Sequence, residues 1–223
     1  MAQESALASS WPVTAIPNPV DCDVFTAAAS MERINLRGGL GVHGDEPLVL
    51  FGSGPRAAYT KGMDLLVEAL PELRRRSPNA RFMTFGPESY ELPDWVGQIG
   101  FVADESALRK LYAAADVVLV PSRFETFSQV AAEAQACGTP VAAFATSGLL
   151  DVVDEGETGF LAKGFDPAAL ADAAARAIAA GEPMRQSARA RAERLWAMPV
   201  VGKQYANWYE QAIREFREGQ ETR

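Results

Sequence analysis

"ADVVLVPSRFETFSQVAAEAQACGTPVAAFA" (residues 115–145) holds two uninterrupted apolar runs, VVLV (117–120) and VAAF (141–144), separated by a polar loop and an alanine-rich segment. Runs this short and this apolar predict strands buried on both faces. With a helix over 127–137 between them, started by a Thr126 or Ser128 cap and ended at Cys137-Gly138, they form a βαβ unit with parallel strands. The same alternation extends in both directions. Strands are expected at 48–53, 80–86 and 96–101. Helices are expected at 61–76, where Leu66, Leu70 and Leu73 fall in step and Pro71 is placed to kink the turn, and at 105–115, where Leu108, Leu111, Tyr112 and Ala115 share a face. After 145 come a short helix (148–154), the extended piece TGFLAK, an alanine-rich helix (167–180) and further helix. The fold class is therefore α/β: a Rossmann-like three-layer α/β/α arrangement around a mostly parallel sheet. The chain divides into a segment and linker (1–47), an α/β domain (48–198) and a terminal helix (199–223). In the first, VTAIPNPVDCDVF (13–25) reads as extended and NLRGGLGVHGDEP (35–47) as a glycine-rich loop. The terminal helix carries Tyr205, Trp208, Tyr209, Ala212, Ile213 and Phe216 as one wide apolar stripe, suited either to this domain's own sheet or to a separate partner.

With 223 residues, 48% hydrophobic and 22% charged, the chain has enough apolar material for a sizeable core. Its net charge of −8 argues against a general nucleic-acid or anionic-membrane surface, although backbone amides and one or two cations still suffice for a local phosphate site. No run reaches the roughly 18 apolar residues needed to span a bilayer, and the N-terminus lacks the basic start and apolar core of a secretory signal. The two cysteines, Cys22 and Cys137, have no metal-type spacing. They imply reduced thiols and a cytoplasmic setting.

Open parallel sheets bind ligands beyond the carboxyl ends of their strands, where strand order reverses. The loops of interest are thus 52–61, 86–95, 101–105, 121–127 and 144–148. In the fourth, Glu125 precedes a helix that carries Glu133. Eight helical residues rise about 12 Å, too far for a shared proton and suited to two ends of one long ligand. Between the two acids, the free amides of Phe127, Ser128 and Gln129 present positive partial charge. A nucleoside diphosphate sugar has this shape: hydroxyls at both ends and an anion between. The spacing equally fits a helix with one glutamate near its start and another facing solvent. The first loop, in LFGSGPRAAYTKG (50–62), combines Gly52, Gly54, Arg56 and Lys61, which suits a diphosphate clamp or a solvated basic loop. It is neither a Walker loop nor GxGxxG.

Taken together, these segments resemble the signature region of retaining GT-B glycosyltransferases of the family 4 (group 1) type. The resemblance rests on Glu125/Glu133 as E-x7-E, GTPV (138–141), SGLLD (147–151), GETGFLA (156–162), the segment LVLFGS…KGMDLLVEAL, and VTAIPNPVDCDVF. It covers roughly residues 10–180. It implies the donor-binding, C-terminal half of a two-domain enzyme of polysaccharide biosynthesis, with the N-terminal acceptor domain absent from this sequence or supplied by a partner. Peripheral membrane association through that absent half is a further implication. Carried over by position, Glu133 holds the donor ribose, Glu125 binds sugar hydroxyls near the anomeric carbon, and the amides at Phe127, Ser128 and Gln129 hold sugar and phosphate oxygens. Arg56 and Lys61 neutralise the leaving diphosphate. Gly52, Ser53 and Gly86 let the donor approach, and the backbone at Phe101 and Val102 meets the base. Catalysis is assigned to Glu125, Lys61 and Arg56. The substrate is a UDP- or GDP-type sugar, with no cofactor and no metal required.

The sequence departs from the family in three places. Ser53 stands where arginine usually follows the first strand's glycine, so Arg56 is the replacement candidate. Ser128 stands where glycine is frequent, and Asp151 where glutamate is common. His43 reads as a solvent loop residue, Arg74–Arg76 as a helix end, and Trp196 and Trp208 as core or interface anchors. Two other readings fit the same fold: a non-catalytic nucleotide-binding or interaction module, and a relative of the sugar-nucleotide epimerases, for which no separate acid/base set is found.

Overall fold

A computed structural model describes residues 13–53, 59–87 and 90–221. Its centre is a six-stranded, all-parallel sheet: β1 (Leu48–Gly52), β2 (Arg81–Phe85), β3 (Val96–Gln98), β4 (Val117–Val120), β5 (Val141–Phe144) and β6 (Gly159–Ala162), in spatial order β3-β2-β1-β4-β5-β6. The order follows from composition. β4 and β5, buried at every residue, occupy the middle beside β1, whereas β3 has only three residues and forms an edge. β1 is bonded on both sides, with Leu50 opposite Met83 of β2 and Val118 of β4.

Strand alternation splits the core in two. Leu48, Leu50, Val118 and Val120 face one layer, formed by α3 (Glu105–Ala114) and α4 (Gln129–Ala136) with Leu111, Tyr112, Ala131 and Ala132. Val49, Phe51, Val117 and Leu119 face the other, formed by α2 (Met63–Arg76) and the first half of α6 (Pro167–Leu195) with Leu66, Leu70, Leu73, Leu170 and Ala174. α5 (Leu149–Val152) is a single turn. Each predicted strand and helix is present with ends shifted by a few residues, and α2 continues through Pro71.

Two features depart from the expectations, and one alternative left open by the sequence is decided. The stretch read as extended chain and glycine-rich loop contains a helix, α1 (Ser30–Gly39). Tertiary ion pairs hold it in place. Arg33 and Arg37 both donate to the Asp116 carboxylate at 2.7 Å and to carbonyls at the end of α3, where Arg185 also donates to Ala113 and Ala115. Those arginines satisfy a helix C-terminus whose last carbonyls lack intrahelical partners. Val20, Phe25, Arg37 and Val42 are buried, so residues 20–42 belong to the body of the domain. The alanine-rich helix does not stop at 180. It breaks at Gly181 (φ 62°, ψ −145°) and resumes through Leu195, carrying the chain from the core that holds Ala177 to the opposite core that holds Ala192 and Trp196. In α7 (Met198–Glu221), Tyr205, Trp208, Tyr209, Ile213 and Phe216 are exposed, so the stripe does not pack on this domain's sheet.

Candidate functional site

In the strand order, β1 and β4 are neighbours whose crossovers leave in opposite directions, the first towards β2 and the second towards β5. Their carboxyl-terminal loops therefore diverge and leave a crevice between them. The loop after β1 ends in a turn of 3-10 helix (Tyr59–Lys61) and Gly62; the loop after β4 runs from Pro121 to Ser128. A cleft of about 160 Å³ lies there, lined by Gly52, Ser53, Lys61, Phe85, Ser122, Glu125 and Val130 among others.

Lys61 and Glu125, 64 residues apart, meet in this cleft, with Nζ 2.8 Å from Oε1. The Ser122 hydroxyl donates to the same oxygen at 2.7 Å. The Glu125 side chain is 14% exposed and that of Lys61 50%, so a largely buried carboxylate pairs with a half-exposed cation. The backbone fixes the acid from behind: Glu125 N–H donates to Ser147 Oγ at 2.9 Å, Gly148 N–H donates to Glu125 O at 2.9 Å, and Thr146 Oγ1 donates to Arg123 O at 3.1 Å. The loop after β5 thus braces the loop after β4.

The two switch-point loops also touch directly. Gly62 has φ +64°, and a β-carbon there would lie 1.9 Å from Pro121 O, so both the backbone sign and the close approach require glycine. Gly86, at φ +110°, plays the same part beside β1: a β-carbon would lie 2.4 Å from Ser53 O. Ser53 spans the ends of β1 and β2, its hydroxyl donating to Pro87 O at 2.6 Å, and Gly86 N–H donates to Gly100 O. Phe101 and Val102 follow on that third loop, Phe101 being 77% exposed.

α4 begins later than expected, at Gln129. Ser128 precedes it at φ 86°, an unusual conformation for a residue with a side chain. Its hydroxyl is buried and makes no hydrogen bond among the described residues. A strained residue with an orphaned buried hydroxyl at a helix N-terminus marks a place organised for something other than stability. Phe127 turns its ring into the core against Trp196 and offers the site only its backbone. Because only Gln129 to Glu133 is helical, the helical rise between the two glutamates is about 6 Å rather than 12 Å.

Glu133 lies one turn beyond Val130, outside the cleft lining. It accepts from the Tyr112 hydroxyl at 3.4 Å, and the Tyr112 ring stands edge-on to Phe85, which does line the cleft. Burial pushes the Glu133 carboxyl up to about 7, with Glu105 adding repulsion and the Tyr112 and Gln129 side chains pulling the other way. Tyr112 itself is raised by burial. Arg56 and Gly54 lie outside the described residues. His43 is exposed on the far, amino-terminal side of the sheet, near Arg74 and Trp95. Among the described residues no group of three or more metal-type side chains forms. Ser122, Arg123, Tyr112 and Ser147 were not among the site residues expected from the sequence. Only the position of the first two beside Glu125 could have flagged them.

The model of the family "Glycosyl transferases group 1" matches residues 46–180. The chain belongs to the group 1 glycosyltransferases. A curated relative of this family, the D-inositol 3-phosphate glycosyltransferase of Xylanimonas cellulosilytica, is 39% identical over 196 residues, covering 79% of this chain and 46% of the relative. Sucrose-phosphate synthase from Thermosynechococcus elongatus superimposes with a TM-score of 0.79 at 28% identity, over 96% of this chain and 56% of that one. Anabaena Alr3699/HepE, solved in complex with UDP-glucose, superimposes with a TM-score of 0.74 at 25% identity, over 89% of this chain and 57% of that one. The chain spans less than half the length of the curated relatives it matches. The match and the six-stranded parallel sheet together make this glycosyltransferase chain a GT-B C-terminal domain.

Proposed function

We propose that this chain binds a nucleoside diphosphate sugar of the UDP or GDP type, as the donor half of a retaining glycosyltransferase in the cytoplasm. The observation that carries the reading is the Lys61–Glu125 pair at the β1/β4 switch point, beside the strained start of α4. The complex of Alr3699/HepE with UDP-glucose supports it, and so do the two free, buried cysteines for the compartment. The diphosphate lies against the amides at the start of α4 and draws Lys61 towards it. Glu125 accepts from sugar hydroxyls near the anomeric carbon, and Glu133 accepts from the ribose hydroxyls. As the bond from the anomeric carbon to the diphosphate breaks, its electron pair goes to the departing oxygen, where the Lys61 ammonium and the amides stabilise the growing charge. The new bond forms to an acceptor hydroxyl on the same face of the sugar, and the proton of that hydroxyl passes to the departing diphosphate oxygen. Protein groups supply the positive charge in this reading, without a cofactor or metal.

Calorimetric titration of the chain with UDP, GDP and UDP-glucose tests it. Binding of at least one, lost in Lys61→Ala and in Glu133→Ala, is expected. If none binds, the donor reading fails and the interaction-module reading is favoured. Transfer assays with the remaining half of the protein supplied, reading the anomeric configuration of the product, test retention.

A further inference from the structure

We propose that Arg123 is a positioning residue that holds the Lys61 turn against the β4 loop in register for a diphosphate; this rests on the donor reading above. Lys61 ends a single turn of 3-10 helix, Tyr59–Lys61, which Gly62 joins to α2. Arg123 restrains it on both flanks. Before Lys61, Arg123 N–H donates to Thr60 O at 2.8 Å, its Nη1 donates to Tyr59 O at 3.0 Å, and its guanidinium lies 4.0 Å from the centre of the Tyr59 ring. After Lys61, the guanidinium forks onto Asp64 in the first turn of α2, at 2.7 and 2.6 Å. The arginine side chain is only 12% exposed. Two residues further along the same loop stands Glu125, the partner of Lys61. One loop therefore carries both the acid that pairs with the lysine and the clamp that sets the height of the lysine's turn. The flat fork is essential to this geometry, because one guanidinium bonds a carboxylate in two places, reaches a carbonyl and covers a ring. Asp64, 53% exposed on α2, adds nothing to the cleft itself; it anchors the clamp. Pairing with Arg123 holds its carboxyl below the ordinary aspartate value.

The test is titration of the whole chain with UDP and with UMP, in wild type, Arg123→Gln, Arg123→Lys, Asp64→Asn and Lys61→Ala, alongside thermal unfolding. A misplaced lysine loses the diphosphate contact and little else. Arg123→Gln and Asp64→Asn are expected to weaken UDP about tenfold, the size of a lost charge-assisted hydrogen bond, while UMP changes much less. Arg123→Lys does not restore the loss, because an ammonium cannot replace the fork. Adding Arg123→Gln to Lys61→Ala causes no further loss. Equal weakening of UDP and UMP, unchanged UDP affinity, or losses that add to that of Lys61→Ala overturn the positioning role while leaving the donor reading intact. GDP and GMP are titrated in the same way, and a wild-type chain that binds none of the four nucleotides overturns both.

Discussion

Replacing Glu133 with glutamine should make the ligand-free domain more stable, increasingly so as the pH rises. The carboxyl lies half-buried between Tyr112 and the first turns of α4, and burial lifts it from an ordinary 4.5 to about 7. A folded-state value above the unfolded one means that the folded chain holds this proton more tightly. Stability is thus unaffected below the unfolded value, falls as the pH rises from 4.5 to 7, and stays reduced above that. At 1.36 kcal/mol per pK unit the penalty at pH 8 has a ceiling of about 3 kcal/mol, and partial exposure brings the expectation to about 1–3 kcal/mol. Glutamine has the same shape and no charge to desolvate. Urea unfolding of both proteins from pH 5.5 to 8.5 should show the stability gap in favour of glutamine widening by about 1–2 kcal/mol. Comparing the two at each pH cancels other titrating groups, such as Asp116. A gap that stays constant, or narrows with rising pH, would refute the reading of Glu133 as a desolvated acid. The same substitution should weaken nucleotide binding, since a ribose-binding carboxylate accepts two hydroxyls and an amide oxygen does so less well. Such opposed effects on stability and binding are usual where a fold maintains a strained site for a ligand.

Gly62→Ala should lower the unfolding free energy by more than the about 1–2 kcal/mol that a left-handed backbone alone costs an alanine, because the new methyl also meets the Pro121 carbonyl; denaturant midpoints read this directly. In the native chain at pH 8, iodoacetamide should label neither cysteine, because burial raises both thiols, Cys137 to about 12. Mass spectrometry should find both labelled in urea, and rapid native labelling of Cys137 would contradict its burial at the end of α4.

Much of the site was legible because its parts are local. The apolar runs of β1, β4 and β5 announce a parallel sheet, and the switch-point rule then selects the loops that contain Lys61 and Glu125. The sequence could not show that those two side chains touch, because 64 positions separate them and the pairing depends on β1 lying beside β4. Arg123 escaped notice for the same reason: in sequence it is one charge in a loop, and its partners Tyr59, Thr60 and Asp64 lie some 60 positions away. The helical rise across the E-x7-E pair was overestimated because a left-handed Ser128 delays the helix, and no local pattern predicts a strained cap.

Apolar runs and periodicity determined the layers, the strands and the buried faces of α2 and α3, since those depend on which residues within a short window must leave water. Tertiary structure alone decided that α1 exists, that the chain changes sides at Gly181, that the α7 stripe is left uncovered and that Glu133 is desolvated. Each of these depends on what a distant segment places alongside: arginines meeting Asp116, a second core for Ala192 and Trp196 to join, or Tyr112 closing over a carboxylate. A sequence window contains one side of such a contact, and the free energy belongs to the pair.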